Sequence, residues 1–289
     1  RLLTRLKEPR NDAMVNHRKA KEEDRADLSA LWQAAFKDEQ PYIDFVFDRF
    51  AGLEHTWVAE EAGQVIASVC AVPVLLKKLP GVYIYGVNTR ADLRGKGVMQ
   101  ALLETVHNEE KKAGRAFAAL VPASASLFDY YKLFGYETMF YRRVVQRSIR
   151  ANLWAVADFD TITAPRLATL REERMACDYM RFEKEAHAAM VQDLYTGGAT
   201  TIETDNGYGV YFETRDTLVF KELLADGSSA AAKLLEAARQ KTGREQAEIY
   251  LPQYSDVFLG EGELRPYGML CWLDGPHQLT DPYMGLMCD

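Results

Sequence analysis

Between Gly86 and Met99 the chain leaves an apolar run, crosses a turn containing Arg90, Arg94, Gly95, Lys96 and Gly97, and enters an amphipathic stretch with Val98, Ala101, Leu102 and Val106 on one side. That order predicts a strand, a basic glycine turn and a helix. The first N–H groups of a helix have no partner within it and lie at the positive end of its dipole, so they attract anions. Glycines at this point let a phosphate come close to the backbone. The residues expected to meet such an anion are Arg94, Gly95, Lys96, Gly97, Val98 and Met99. Glycines that merely suit a helix start would read the same way. The third glycine of a dinucleotide fingerprint and the Gly-Lys-Ser/Thr of a phosphate loop are both missing, so neither NAD nor ATP is indicated.

About thirty residues further on stands Tyr131-Lys132-Leu133-Phe134-Gly135-Tyr136, on a predicted helix that begins near Ser124 and is stopped by Gly135. Tyr131 reads either as an aromatic packed on the core or as a phenol offered to a ligand. Tyr130 is its neighbour, about 100° round the helix. Arg94-x-x-Gly97 after a strand, together with this tyrosine ahead of a Gly-aromatic pair, resembles the GNAT acetyltransferases. The resemblance covers residues 15–149, with Met99 standing where the family places a glycine or alanine. It implies acetyl-CoA as cosubstrate, with the pyrophosphate on residues 94–99. It also implies a bulged strand at Val87, Asn88 and Thr89 that pairs with the pantetheine arm, and Tyr131 as the general acid. Ser124 and Ser126 are candidates to hydrogen-bond the cosubstrate, though Ser124 also suits a helix N-cap. Tyr42, Phe45 and Phe47, on early helices, fall where the family lines its acceptor pocket, or in the core.

The surrounding elements follow from periodicity. Leu28, Leu31, Trp32, Ala35 and Phe36 fit a helix and a second follows Pro41; 56–59 and 65–74 fit a hairpin, and 82–87, 116–121 and 136–145 fit strands. The order then recurs: apolar helices over 164–195, strands 200–203 and 208–212 about Asp205-Asn206-Gly207, a strand over 217–224, a helix over 230–240 capped by Ser228 or Ser229, and a strand over 247–251. The expected fold is mixed α/β, an α+β mixed sheet built from two tandem GNAT-like domains at 14–150 and 151–289. The second is degenerate, because its turn at Asp226-Gly227-Ser228 carries an acid and no base, so no cosubstrate is expected there. Residues 1–13 are set aside as a leader or disordered extension. The tandem arrangement resembles the enhanced-intracellular-survival acetyltransferases, without their sterol-carrier-like domain. Enzymes of that type use a C-terminal carboxylate as base, which here would be Asp289; a tail strand completing the second sheet is the competing expectation.

Composition narrows the partners. The net charge of −7 disfavours a nucleic-acid surface. No apolar run approaches the ~20 residues of a membrane span, and no secretory signal opens the chain. The four cysteines and five histidines are scattered, without metal-ligand spacing, so reduced thiols in the cytoplasm and no metal are expected. The reading is an N-acetyltransferase passing an acetyl group to a small-molecule or peptide amine. A non-catalytic acyl-CoA sensor and a longer-chain acyltransferase are the alternatives. The acceptor's identity is open, and so is homo-oligomerisation.

Overall fold

The computed structural model describes residues 14–151 and 154–288. In the first half β1 (Asn16–Lys19) leads to α1 (Arg25–Phe36) and α2 (Gln40–Phe45), which runs into one wide turn at Val46–Phe50. Next come β2 (Thr56–Glu61), β3 (Gln64–Leu76), β4 (Leu79–Thr89), α3 (Val98–Lys112), β5 (Phe117–Leu120), α4 (Ala125–Lys132) and β6 (Glu137–Ser148). β3 and most of β4 read as unbroken apolar runs because helices cover both faces of the sheet. Leu28, Trp32, Ile43 and Phe47 pack on one face, and Met99, Leu102, Leu103 and Val106 on the other.

The second half repeats the order with smaller parts: β7 (Asp158–Phe159), α5 (Ala164–Arg174), β8 (Met180–Phe182), α6 (Lys184–Thr196), β9 (Thr200–Thr204), β10 (Gly207–Glu213), β11 (Thr217–Ala225), α7 (Ser228–Thr242), β12 (Gln246–Pro252) and β13 (Glu263–Trp272). The apolar stretch over 164–195 is thus two helices with a short strand between them. That strand, β8, adds to the outer end of β3 through Val74, Leu75 and Leu76.

Among the described residues the strands form one continuous sheet in the order β1-β2-β3-β4-β5-β13-β6-β12-β11-β10-β9-β7. The last strand does not complete the second half. β13 inserts between β5 and β6, pairing Met269 with Leu120 on one side and Leu264 with Arg143 on the other. β6 in turn pairs with β12 along its length. The two halves therefore share strands as well as a core, since Met180, Met190, Met284 and Cys288 are buried with Leu28 and Phe50.

Two parallel pairs splay. β4 and β5 pair only from Gly81/Phe117 to Tyr83/Ala119, after which β4 continues to Thr89 without that neighbour. β11 and β12 likewise pair only as far as Phe220/Ile249. A splayed parallel pair exposes backbone groups inside the sheet, and that gap needs an occupant.

Candidate active site

The gap beside β4 opens where the strand itself is irregular. Cys70 faces Tyr85 and Ser68 faces Asn88, so Gly86 and Val87 together oppose the single residue Val69. This is a β-bulge, one residue earlier than the expected Val87–Thr89. Gly86 carries it at φ +61°, and a Cβ there would overlap the ring of Trp32. Asn88 braces the kink: its Nδ2 donates to Gly86 O at 2.9 Å and its Oδ1 accepts from Ser68 Oγ at 3.2 Å. The Asn88 side chain is spent on the bulge, which lies on the stretch of β4 beside the gap. Replacing Gly86 with Ala adds both left-handed strain and a clash. It should lower unfolding free energy by about 2–4 kcal/mol in chemical denaturation.

Past Thr89 a single turn at Ala91–Leu93 leads to Arg94, and Gly95 and Gly97 take φ +73° and +81°. Gly97 is the N-cap of α3, and no side chain caps that end. A Cβ on either glycine would meet nothing within 4 Å, so the space in front of these amides is open. Arg94 Nε donates to Thr89 O at 3.1 Å, which ties the turn back to the strand.

This corner is one wall of a groove of about 530 Å³, whose lining includes Val87, Asn88, Thr89, Arg94, Gly95, Gly97, Val98 and Met99. Leu127, Tyr130, Tyr131 and Phe134 of α4 and the turn after it form the opposite wall. Lys96 and Ser124, both expected here, are not in the lining. Ser124 holds the N-cap position of α4, yet its hydroxyl meets Ser126 Oγ at 3.0 Å rather than a backbone N–H. Met99 is buried against the core beneath α3. It fills the position of a smaller residue by turning inward.

A second cavity of about 470 Å³ adjoins the first and shares Phe36, Val87, Leu127 and Tyr131 with it. Tyr131 thus lies between the two, whereas its neighbour Tyr130 reaches only the groove. Its ring is held by Tyr130, Phe134 and Tyr136, at centroid distances of 5.3, 6.4 and 5.8 Å. Burial pushes its phenol pKa up, so it is fully protonated at neutral pH. Among the described residues the hydroxyl has no hydrogen-bond partner.

The second cavity is aromatic and acidic. Trp32, Tyr42, Tyr83 and Tyr85 line it together with Asp38 and Asp193. Trp32 Nε1 donates to Asp38 Oδ2 at 2.8 Å, and the Tyr42 and Tyr85 hydroxyls are 2.6 Å apart. Of the three aromatics expected here only Tyr42 lines the wall. Phe47 is core against Trp32, and Phe45 stacks on Phe50. Asp193 comes from α6 of the second half, and Cys288 from the tail. Cys288 O accepts from Tyr83 Oη at 2.8 Å. Asp289 itself lies outside the described residues. Lone acids, one in the loop between α1 and α2 and one on α6, carry no sequence signal, and neither Asp38 nor Asp193 could have been chosen without the fold.

Behind Tyr131 a buried pair fixes the end of α4 against α3: His107 Nε2 and Tyr136 Oη are 2.8 Å apart. Burial drives the His107 pKa down to about 4 from an ordinary 6.5. A neutral histidine in the fold and a protonated one in the unfolded chain make acid destabilising. The contribution is intact above about pH 6.5 and is lost as pH falls towards 4, at about 1.4 kcal/mol for each unit of depression. Melting temperature followed against pH should fall less steeply between 6.5 and 4 in His107→Gln than in the unmodified protein.

The corresponding corner of the second half is filled by the chain itself. Gly227, not a serine, is the N-cap of α7, and Ser228 Oγ accepts from Phe258 N at 2.7 Å. Val257 and Phe258 are buried there, and Arg143 donates to the carbonyls of Ser255, Val257, Phe258 and Glu261. Asp226 pairs with Arg174 at 2.6 Å.

The match to known families falls on the half with the open corner. Residues 16–139 match the family model described as an acetyltransferase (GNAT) domain. This stretch is a GNAT acetyltransferase domain. No curated protein sequence matches the chain. The fold of the GNAT domain together with the second half is found in solved structures. A GCN5-related N-acetyltransferase from Anabaena variabilis aligns with TM-score 0.72 at 17% identity, covering 90% of this chain and 73% of that one. One from Kribbella flavida aligns with TM-score 0.68 at 18% identity over 90% and 72%, and Eis1 from Mycobacterium abscessus with 0.68 at 14% over 90% and 74%. Because the alignments span 90% of the chain, the likeness covers both halves. The described residues contain no helix long and apolar enough to cross a membrane. They also hold no group of three or more His, Cys, Asp or Glu able to bind a metal.

Proposed function

We propose that the chain is an N-acetyltransferase that moves the acetyl group of acetyl-CoA directly to a primary amine within a ternary complex. The observation that carries this reading is the meeting of two spaces at Tyr131: an uncapped glycine corner suited to an anion on one side, and an aromatic, acidic pocket on the other. In the proposed division residues 14–150 hold the cosubstrate, and residues 151–289 complete the acceptor side and hold no cosubstrate. Four cysteines outside any disulfide fit a cytoplasmic protein.

Acetyl-CoA would set its pyrophosphate against the amides of residues 95–99, with Arg94 nearby, and its pantetheine arm along the bulge at Gly86–Thr89. Backbone N–H groups there would polarise the thioester carbonyl. The acceptor arrives as an ammonium ion, which Asp38 and Asp193 suit. With an ordinary amine pKa near ~10.4, under about 0.1% is neutral at pH 7, so a base must take a proton before attack. Asp289, the residue after Cys288, is the proposed acceptor of that proton. The amine nitrogen then forms a bond to the carbonyl carbon, the C–S bond breaks, the leaving sulfur takes the Tyr131 proton, and the second proton that the nitrogen sheds on becoming an amide restores the Tyr131 phenol.

Release of free thiol from acetyl-CoA, measured with a panel of polyamines, amino sugars and peptide amines, tests the reading. Amine-dependent release supports it. Binding of acetyl-CoA without release with any amine would make the protein a sensor of acyl-CoA instead.

A further inference from the structure

The second half contains a buried ion pair that the proposed reaction does not use. Arg171 of α5 and Glu222 of β11 are 2% and 0% exposed, with Nε 3.2 Å from Oε1. The contact is one of charge, without an Arg171 hydrogen bond from Nε or Nη2, and the donors to Glu222 are two phenols: Tyr208 of β10 to Oε1 at 2.7 Å, and Tyr283 of the tail to Oε2 at 3.1 Å. Burial pushes both phenols up, so they remain donors at any ordinary pH. Desolvating two charges costs as much as or more than their attraction returns, so such a pair is a weak way to stabilise a core. What it provides is fixed geometry for whatever it grips.

It grips the tail. Tyr283 N donates to Asp178 O at 3.0 Å, Met180 N donates to Tyr283 O at 2.8 Å, and Thr280 N donates to Asp178 Oδ2 at 2.7 Å. Gly285 then passes so close to the pair that a Cβ would overlap Arg171 Nη2 and Glu222 Oε2. Three residues on, Cys288 is buried in the acceptor pocket under the Tyr83 hydroxyl. We propose that the Arg171–Glu222 pair is a positioning device for acyl transfer, holding residues 283–288 so that Cys288, next in the chain to the proposed base, is presented to the acceptor pocket. This rests on the transferase reading above.

Tyr208 and Tyr283 make the same kind of bond to the same carboxylate, one from the sheet and one from the tail, and this allows a clean test in the full-length protein. A hydrogen bond to a charged group is worth enough that its loss should loosen the tail about tenfold. In Tyr283→Phe, iodoacetamide should label Cys288, followed by peptide mass spectrometry, about tenfold faster. kcat should fall about tenfold with KM for acetyl-CoA unchanged. Tyr208→Phe should leave both labelling and kcat within about twofold, and Gly285→Ala should behave like Tyr283→Phe. Unchanged labelling in Tyr283→Phe overturns the proposal, as does faster labelling with unchanged kcat. Equal losses in the two phenylalanine variants would reduce the pair to a structural role and also overturn it. Should the unmodified protein transfer no acetyl group, the transferase reading fails and positioning for catalysis fails with it, while the labelling rates separately report whether the pair holds the tail.

Discussion

Replacing Tyr131 with Phe is expected to lower kcat at least about a hundredfold while KM for acetyl-CoA stays within about twofold. The change removes one oxygen from a ring that is otherwise fixed by Tyr130, Phe134 and Tyr136. Proton transfer by a well-placed side chain contributes about 10²–10⁴ to rate, and a thiolate that must leave without a proton loses that contribution. A loss of stability cannot explain such a result. The Tyr131 hydroxyl makes no hydrogen bond to the described residues and faces the cavities that Tyr131 lines, so deleting it breaks no bond within the fold and leaves the melting temperature unchanged. The informative comparison is therefore kcat against melting temperature in one variant. A fall in both would point to a packing role for the ring; a fall in kcat alone identifies the proton donor. Tyr130→Phe, at a residue that lines only the groove, should leave kcat within about threefold.

A carboxylate at Gly97 should abolish acetyl-CoA binding without unfolding the protein. Gly97 is the N-cap of α3 at φ +81°, a conformation that Asp and Asn tolerate better than other side chains. Space is open in front of it, and an acid near a helix N-terminus favours the helix itself. Gly97→Asp should thus fold with near-normal stability. The same charge occupies the place proposed for a pyrophosphate and repels it. Losing two or three charge-assisted bonds at about 1.5–3 kcal/mol each raises the Kd for acetyl-CoA at least about a hundredfold by calorimetric titration. Gly97→Asn, equal in size but neutral, should raise it by about tenfold or less. The gap between the two variants isolates charge from bulk. Equal Kd values for Asp, Asn and the unmodified protein would remove the anion site from residues 95–99.

How much of this was legible in the sequence depended on whether the signal was local. The turn at Arg94–Gly97 and the helix after it stand where spacing put them, because glycine and charge act within a few residues of themselves. The hairpin at Asp205–Gly207 was readable for the same reason. The bulge was placed one residue late, since its cause is the ring of Trp32 packing against Gly86 across 54 positions of chain. β8 was hidden inside an apolar stretch, because three residues carry too little periodicity to separate a strand from the helices beside it. The position of β13 could not be read at all: its pairing with Leu120 and Arg143 is a fact of the folded sheet, and Pro266 and Gly268 weaken its local strand pattern. Ser228 looked like a helix cap because serine usually is one, but in the fold its hydroxyl receives the amide of Phe258 from a distant loop. The acceptor pocket was half legible. Tyr42 was named, whereas Asp38, Tyr85, Asp193 and Cys288 come together only when the second half closes on the first.

A crystal structure of the protein with acetyl-CoA bound would decide most directly whether the glycine corner and Tyr131 serve one ligand. Pyrophosphate oxygens are expected within hydrogen-bonding distance of the amides of residues 95–99, and the thioester sulfur beside the Tyr131 hydroxyl, facing the pocket of Asp38 and Asp193. A pyrophosphate held elsewhere, or a Tyr131 phenol pointing away from the sulfur, would contradict that arrangement.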